Sequence, residues 1–194
     1  NAETGSGQAS CQCKAGFERV SGTCVGCSEG KYKAEVGNRK CTDCGAGKYS
    51  SLQMATSSSV CLLCEEGKYS SVVGAWSNTT CLACEAGKYL EVAGGSSVMD
   101  CISCGAGKYS TGIASSSRTA CQDCSAGTFS FSLGASSPAA CRKCAAGKYA
   151  PLAGSATSSA CEECGAGTFS AEQGSASCQL CPKGKFSTGW SAIS

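Results

Sequence analysis

The chain has 194 residues and a formal charge of +2, with sixteen basic residues against fourteen acidic ones, and twenty of its residues are cysteine. Cysteine at this density is typical of secreted proteins held together by disulfides. The small net charge excludes electrostatic binding to nucleic acid or to an anionic membrane surface, and no apolar run is long enough to be a membrane span.

The first cysteines, Cys11 and Cys13, open the run CQCKAGFERVSGTC, which ends at Cys24. The chain does not begin with Met, and its first residues lack the charged-then-apolar pattern of a signal peptide. Because the sequence also opens inside a cysteine module, we expect both ends to continue in a longer protein. Any export signal or membrane anchor is then expected outside this segment.

A C-x2-C pair then recurs along the whole chain. From Cys41 to Cys161 the first cysteines of successive pairs are 20 residues apart, whereas the first and last intervals are three residues shorter. The missing residues fall between Gly37 or Gly174 and the next cysteine, which indicates a surface turn that tolerates a change of length. The pairs are Cys24/Cys27, Cys41/Cys44, Cys61/Cys64, Cys81/Cys84, Cys101/Cys104, Cys121/Cys124, Cys141/Cys144, Cys161/Cys164 and Cys178/Cys181.

Each pair is followed by a glycine and then by an aromatic residue. The glycine stands three residues after the second cysteine, as Gly47 does after Cys44, and the aromatic stands two residues further on, at Tyr49. A glycine directly before a short aromatic strand predicts a turn that needs a positive φ. The aromatics are Tyr32, Tyr49, Tyr69, Tyr89, Tyr109, Phe129, Tyr149, Phe169 and Phe186.

These features predict a small β-hairpin or paired-loop unit of about 20 residues. One unit would bury an aromatic and two aliphatic residues such as Leu52 and Val60, which is too little apolar surface to offset the entropy of ordering its chain. Neighbouring units must therefore stack their tyrosine and cysteine layers on one another. The predicted fold is small, disulfide-rich and mostly β or irregular, a linear solenoid-like rod of hairpin repeats with no long helices.

The disulfide pairing follows from the uniformity of the array. Every C-x2-C occupies the same environment, so the second cysteine of one pair is expected to join the first cysteine of the next. A crossed scheme, first to first and second to second, would couple repeats in twos and leave an alternation that the sequence does not show, although spacing by itself does not settle connectivity. The expected bonds are Cys27–Cys41, Cys44–Cys61, Cys64–Cys81, Cys84–Cys101, Cys104–Cys121, Cys124–Cys141, Cys144–Cys161 and Cys164–Cys178.

The run from Cys11 to Cys24 resembles the C-terminal half of an EGF-like module, and the C-x2-C-x2-G-K-Y units resemble ephrin-receptor-like cysteine-rich repeats. Such repeats form long arrays in large extracellular proteins of algae and protists. A looser likeness is to the first loop of tumour-necrosis-factor-receptor repeats. The EGF-like resemblance implies a Cys13–Cys24 bond, which leaves Cys11 and Cys181 to pair outside the segment. These modules are found in receptors, adhesive proteins and surface filaments alike, so the resemblance specifies fold more than function.

The resemblance and the period together give a domain organisation. We expect an EGF-like C-terminal half at 1–24, a first short repeat at 25–44 and six 20-residue repeats at 45–164. A second short repeat at 165–181 and the start of a further repeat at 182–194 complete the segment.

Metal binding and catalysis are the two alternatives to a structural role for the cysteines. The spacing of the C-x2-C pairs also fits zinc ribbons, but nine equal pairs cannot be grouped into four-cysteine sites and the chain has no histidine. Without histidine and with scattered acidic residues, the sequence predicts no enzyme. No cofactor is expected; calcium could bind in the adjoining EGF-like module, although nothing in this chain supplies its ligands.

A row of lysines precedes most of the aromatics, at Lys31, Lys48, Lys68, Lys88, Lys108, Lys148 and Lys185. One interpretation is solubility, with each lysine stem covering the next aromatic ring. The other is a stripe that binds acidic polysaccharide or a neighbouring filament, which Thr128 and Thr168 interrupt at the same position.

The loops between units carry modification and contact candidates. Asn78 begins the one N-glycosylation sequon, Asn78-Thr79-Thr80. Trp76, Phe131 and Trp190 interrupt otherwise small-residue loops, where local packing or lateral contact between rods would explain them. The serines that are candidates for O-glycosylation are Ser57, Ser58, Ser59, Ser115, Ser116, Ser117, Ser136 and Ser137.

Taken together, the sequence predicts an extracellular structural protein, secreted or on the cell surface, that forms a glycosylated rod or filament. A surface hair of the mastigoneme kind and a matrix fibre both fit. Its partners are expected to be other copies of itself, matrix or cell-surface proteins, or glycans. The alternative is a stalk or ligand-binding ectodomain of a cell-surface adhesion receptor.

Overall fold

The computed structural model describes residues 11–188 and residue 192. In this part of the chain there is no α-helix, and nine two-stranded antiparallel sheets each join a strand to the next one along the sequence. The prediction of a small, disulfide-rich, mostly β or irregular fold without long helices is confirmed. The strands are β1 Phe17–Val20, β2 Thr23–Gly26, β3 Lys31–Tyr32, β4 Thr42–Asp43, β5 Lys48–Tyr49, β6 Leu62–Leu63, β7 Lys68–Tyr69, β8 Leu82–Ala83, β9 Lys88–Tyr89, β10 Ile102–Ser103, β11 Lys108–Tyr109, β12 Gln122–Asp123, β13 Thr128–Phe129, β14 Arg142–Lys143, β15 Lys148–Tyr149, β16 Glu162–Glu163, β17 Thr168–Phe169 and β18 Gln179–Leu180.

An N-terminal hairpin, β1–β2, is followed by eight units. Each unit begins at the second cysteine of one C-x2-C pair and ends just before the second cysteine of the following pair, as 44–63 does. Within a unit, the first strand has the sequence Lys-Tyr in six units and Thr-Phe in two, and we call it the Lys-Tyr strand throughout. It pairs with the two residues that lie between the cysteines of the following C-x2-C pair. In the second unit, for example, Lys48 lies opposite Leu63 and Tyr49 opposite Leu62. The units are 27–43, 44–63, 64–83, 84–103, 104–123, 124–143, 144–163 and 164–180.

The turn that leads into each Lys-Tyr strand has the predicted geometry. The glycines that precede these strands, such as Gly47 and Gly87, have φ between 74° and 84°, as does Gly184 further along the chain. This left-handed conformation costs glycine little, whereas a Cβ makes it unfavourable for other residues. The same glycine also binds the first residue of the next unit, since the Gly47 carbonyl accepts a hydrogen bond from the Cys64 amide at 2.9 Å.

In each of the six 20-residue units, a single 3-10 turn lies directly before the second cysteine of the unit's disulfide. Its first residue follows a serine or threonine, and the Ser57, Ser77, Ser97, Ser117 and Ser137 hydroxyls each accept a hydrogen bond from the backbone amide two residues on. The two short units, 27–43 and 164–180, have no such turn. The three residues that these units lack therefore correspond to the 3-10 turn. The six turns are Ser58–Val60, Asn78–Thr80, Val98–Asp100, Arg118–Ala120, Pro138–Ala140 and Ser158–Ala160.

The same three backbone hydrogen bonds join each unit to the next. The Gly47 amide donates to the Ser70 carbonyl at 2.7 Å, and the Ser50 amide donates to the Ala75 carbonyl at 3.0 Å. In return, the Gly74 amide donates to the Cys44 carbonyl at 2.8 Å. Corresponding bonds recur along the array, so each unit uses its neighbour to satisfy backbone groups that a two-residue hairpin leaves unpaired.

Contact also extends to the second unit along the chain. A Cβ built on Gly47 would lie 2.2 Å from the carbonyl oxygen of Gly94, and one on Gly67 would lie 2.1 Å from that of Ala114. These distances are far below any possible Cβ contact, so backbone from the unit two places ahead occupies the space where a side chain would be. The turn glycines are thus required both for their φ and for this close approach.

The core consists of cysteines and small residues. Disulfide cysteines such as Cys44 and Cys64 are fully buried, as are Ser50, Ser70 and Ala75. The tyrosines and Val60 are only half-buried. The expectation that Leu52 belongs to the core was wrong, since 56% of its surface is exposed. The strands of a unit are only two residues long, so its interior holds the disulfide and the stacked backbone and has no room for a further aliphatic side chain.

Lys33 is an exception to this composition. It occupies the position that Ser50 and Ser70 take in other units, and only 6% of its surface is exposed. Its ammonium group donates hydrogen bonds to the carbonyl oxygens of Phe17 and Gly37. Lys33 therefore links the N-terminal hairpin to the loop of the first unit.

Candidate functional site

The disulfides form a continuous ladder through the described residues. Each C-x2-C contributes its first cysteine to the unit before it and its second cysteine to the unit after it. The eight bonds of the units are the ones expected from the uniform pairing rule, and the ninth is the one implied by the EGF-like resemblance. The bonds are Cys13–Cys24, Cys27–Cys41, Cys44–Cys61, Cys64–Cys81, Cys84–Cys101, Cys104–Cys121, Cys124–Cys141, Cys144–Cys161 and Cys164–Cys178.

Two cysteines, Cys11 and Cys181, form no disulfide within the part of the chain that the structure describes. The Cys181 amide donates to the Gly167 carbonyl at 3.0 Å, which is the hydrogen bond that Cys64 makes to Gly47. Cys181 therefore has the backbone position of a cysteine that opens a unit. That these two cysteines bond to partners outside this segment stays a prediction.

The ladder also bears on the zinc interpretation. Zinc is bound by thiolates, and a cysteine in a disulfide has none to offer. Eight of the nine C-x2-C pairs have both cysteines in disulfides, and in the ninth Cys178 is bonded to Cys164. Among the described residues, no group of three or more histidine, cysteine, aspartate or glutamate side chains is arranged to hold a metal ion. The same residues include no helix with the length and apolar character of a membrane span.

The lysine row is largely neutralised by acidic partners. Lys31 and Lys108 bind the aspartates that face them across their hairpins, Asp43 at 2.8 Å and Asp123 at 2.5 Å. The hydrogen bond that Lys31 donates to Asp43 raises the pKa of Lys31. Where threonine replaces lysine, at Thr128, the opposite residue is itself a lysine, Lys143.

Two more lysines of the row have acidic neighbours. Lys148 lies 3.5 Å from Glu163 across its hairpin, and Lys68 lies 2.9 Å from Glu65 in its own turn. The hydrogen bond from Lys68 lowers the pKa of Glu65. The row is thus a set of cross-strand and local ion pairs more than a uniform positive stripe, and this arrangement argues against the row as a polyanion site.

The sequon lies on an exposed 3-10 turn. Asn78 is the first residue of the turn and its side chain faces solvent, while the Thr80 hydroxyl donates to the Ser77 carbonyl at 2.8 Å. Asn78 also lines a small surface depression together with Tyr49 and Lys68. A glycan on Asn78 is sterically possible in the folded unit, and it would cover this part of the surface.

The candidate serines fall into two groups. Ser57, Ser117 and Ser137 cap 3-10 turns through their hydroxyls, the Ser115 hydroxyl donates to the Gly112 carbonyl, and Ser59 shares a hydrogen bond with Ser57. The remaining three, Ser58, Ser116 and Ser136, are exposed. Modification of the hydrogen-bonded serines would compete with a structural hydrogen bond, and that O-glycans occupy any of these serines stays a prediction.

Two of the three candidate contact aromatics lie on the surface. Trp76 has 62% of its surface exposed and Phe131 has 58%. The guanidinium of Arg142 lies 4.5 Å from the centre of the Phe131 ring, which gives that aromatic a local partner. Trp190 lies outside the described residues.

Comparison with known proteins gives one family. Residues 14–61 and 154–194 match the family model described as "Tyrosine-protein kinase ephrin type A/B receptor-like". A search of curated proteins gave no match. Between the two matched segments, the hairpin units and their disulfides continue with the same pattern. Two segments of the chain are therefore similar to ephrin-receptor-like cysteine-rich repeats, and the regular disulfides together with this match indicate an extracellular or cell-surface protein.

Proposed function

We propose that this chain is part of a structural extracellular protein, an elongated rod that associates with other copies of itself into a filament. A surface hair of the mastigoneme kind or a matrix fibre would be such an object. The observation that supports this function best is the repetition of the inter-unit contacts. Each unit is closed by its own disulfide, is hydrogen-bonded to the next unit by the same backbone groups, and is in contact with the unit after that.

This arrangement supports mechanical continuity. A chain of two-residue hairpins would bend easily if each unit touched only its neighbour through one covalent bond. Here Gly47 bonds to Ser70 in the next unit and approaches Gly94 in the unit beyond. Bending at any junction must disturb contacts that cross two junctions, so the array is expected to be stiff and to lose its structure cooperatively.

The surface supports a glycosylated rod. Asn78, Ser58, Ser116 and Ser136 are exposed; Asn78 and Ser58 begin 3-10 turns, and Ser116 and Ser136 stand two residues before the start of such turns. Carbohydrate at these positions would protect a protein whose stability depends on its disulfides. Treatment of the natively produced protein with an N-glycosidase should lower its mass by one glycan, and the variant Asn78→Gln should not respond.

The alternative is a stalk or ligand-binding ectodomain of an adhesion receptor. The match to a receptor-like family at two segments favours it, and Trp76 and Phe131 give individual units a distinct surface on which recognition could depend. Matrix or cell-surface proteins, or glycans, would then be the partners. This alternative predicts that a soluble form of the chain stays monomeric and binds cells or matrix through particular units.

Electron microscopy combined with multi-angle light scattering tests the proposal. The oxidised chain should give thin particles whose length grows in proportion to the number of units, and their mass should rise with concentration as they associate. Reduced and alkylated chain is the control and should give neither result. Compact particles, or a monomer that never associates, would contradict the structural function.

A further inference from the structure

Exposed aliphatic side chains recur at the loop tips of the units. A tip is the turn in the middle of a unit. In unit 64–83 it lies between Ser70, the buried residue after the Lys-Tyr strand, and Ala75, the small residue whose carbonyl accepts a hydrogen bond from the preceding unit. In the six 20-residue units, seven aliphatic tip side chains leave between 46% and 74% of their surface in solvent. They are Leu52, Val72, Val73, Val92, Ile113, Leu133 and Leu152.

The tip of a unit lies against the second strand of the unit two places earlier. We call this second strand, such as β6 or β10, the return strand of its unit. A Cβ on Gly94, in the tip that carries Val92, would be 2.7 Å from Cδ2 of Leu63. A Cβ on Gly134, next to Leu133, would be 3.4 Å from Cβ of Ser103. Tips and return strands therefore form one surface, which we call the tip face and which comprises the seven tip residues together with Leu63.

The tip face is apolar in its middle and charged towards its ends. The return-strand residues that meet its central tips are Leu63 and Ser103. At one end Asp43 lies against the tip of Val72 and Val73, since its carboxylate oxygen would be 2.7 Å from a Cβ on Gly74. At the other end both signs of charge occur: the Asp123 carboxylate would be 2.6 Å from a Cβ on Gly154, in the tip of Leu152, and the Lys143 side chain would be 3.2 Å from a Cβ on Gly174.

We propose that the tip face binds the tip face of a second copy of this chain, with the two chains antiparallel. The eight aliphatic side chains expose roughly 900 Å² in total, on the order of what one partner contributes to a standard protein interface. Apolar surface of this extent on a soluble chain indicates a binding surface. The inference deepens the proposed self-association and rests on it.

The repeat itself argues for a second copy as the occupant. A row of apolar groups that recurs once per unit, at intervals of 19 to 21 residues, can be matched along its full length only by a surface with the same repeat. A globular partner would cover one or two tips and leave the others in water. A second copy covers all of them, and a two-fold axis makes the contact self-complementary.

The charges select the antiparallel arrangement. A two-fold axis between the tips of Ile113 and Leu133 places each of these side chains against the other on the second copy. The same axis brings Asp43 of one chain towards Lys143 of the other at both ends. A parallel, in-register pair would instead place Asp43 against Asp43 and Lys143 against Lys143, which is electrostatically unfavourable.

Association measured by sedimentation tests the tip face. The variants Ile113→Asp and Leu133→Asp should each weaken self-association at least tenfold, the effect expected when an apolar contact in the centre of an interface is replaced by a charge. Met99→Asp is the matched control: Met99 is more exposed, at 87%, but lies on a 3-10 turn and not on a tip. Its association should be unchanged. Non-reducing mass spectrometry should find nine disulfides in every variant.

A photocrosslinker placed at residue 113 tests the arrangement without depending on a destabilised variant. With one copy labelled by heavy isotopes, crosslinks between copies should map to the tip of residues 131–134. Crosslinks to residues 111–114 of the other copy would overturn the antiparallel pair. If wild type associates and both Asp variants associate equally well, the tip face is not the contact surface, while the proposed self-association stands. A wild-type chain that does not associate would overturn both.

Discussion

The carbonyl oxygen of Gly134 lies 2.1 Å from the position that a Cβ on Gly87 would take, although a complete unit separates the two glycines along the chain. The same relationship joins Gly107 to Gly154 and Gly127 to Gly174. Each of these three turn glycines therefore contacts the unit two places ahead in addition to the next unit. Stability in this array is a property of the stack, because loss of one turn disturbs its own hairpin and the unit two places ahead.

Replacing Gly87 by alanine is therefore expected to be strongly destabilising. Alanine at a φ of +84° costs about 1–2 kcal/mol, and the clash with Gly134 should bring the loss in free energy of unfolding to about 3 kcal/mol or more. Gly167→Ala is the matched control, since its φ is +76° but no described atom lies within 4 Å of its Cβ position. Denaturant unfolding with the disulfides intact measures both. Equal losses of unfolding free energy in the two variants would show that the contact between Gly87 and Gly134 contributes nothing to stability.

Ala114 is expected to gain stability when it is replaced by glycine. It stands at the tip position that is glycine in four of the other full units, and its φ is +52°. Relief of this strain should exceed the added entropy of the unfolded chain and stabilise the protein by about 0.5 kcal/mol. The reverse change, Gly134→Ala, should destabilise it by about 1 kcal/mol. A loss of stability in Ala114→Gly would mean that the alanine methyl group has a packing role.

Lys33→Met should loosen the junction between the N-terminal hairpin and the first unit. Removal of the ammonium group leaves the Phe17 and Gly37 carbonyls without their donor, and a hydrogen bond to a charged group contributes about 1.5–3 kcal/mol. Hydrogen exchange of the Gly16 amide, which donates to the Lys33 carbonyl, should accelerate at least tenfold. Lys40→Met, at an exposed lysine, is the control and should exchange as wild type does.

The turn of residues 97–100 should respond to acid. The Asp100 carboxylate accepts hydrogen bonds from the Ser96 and Ser97 amides at 2.7 and 3.1 Å, and these bonds lower its pKa. A lowered pKa means that the carboxylate stabilises the folded turn above the ordinary aspartate pKa of about 3.9, and that this contribution is lost as the pH falls through the lowered value.

NMR titration checks this prediction directly. The Ser96 and Ser97 amide resonances should shift together with the Asp100 carboxyl, at a midpoint below about 3.9. In Asp100→Asn the amide shifts should not titrate. A midpoint at or above the ordinary value would contradict the cap.

Much of the unit could be predicted from the sequence, because identical neighbours restrict each residue to one role. The positive φ of Gly47 follows from its place before a Lys-Tyr strand. The disulfide between Cys44 and Cys61 could be predicted because the same pairing rule must apply to every C-x2-C pair. The 3-10 turns were not predicted, although a signal existed: Ser77 and its equivalents stand four residues before a cysteine, where a serine commonly caps a turn.

Other features depend on how units stack, and the sequence of one unit does not contain that information. The approach of Gly47 to Gly94 crosses 47 residues and is visible only when three units are assembled. Leu52 was assigned to the core because it is aliphatic, yet the interior is already filled by the disulfide and by Ser50. The pairing of Lys31 with Asp43 could have been found, since antiparallel register places these two residues opposite each other.

The most direct test of the disulfide ladder is tryptic digestion of the oxidised chain under non-reducing, acid-quenched conditions, followed by mass spectrometry. Because each C-x2-C is expected to give one bond backward and one forward, the peptides should stay linked in two long clusters, separated where trypsin cuts at Arg142 and Lys143 between Cys141 and Cys144. Isolated couples of peptides, such as 69–88 doubly bonded to 89–108, would contradict the ladder, as would free thiols with bound zinc.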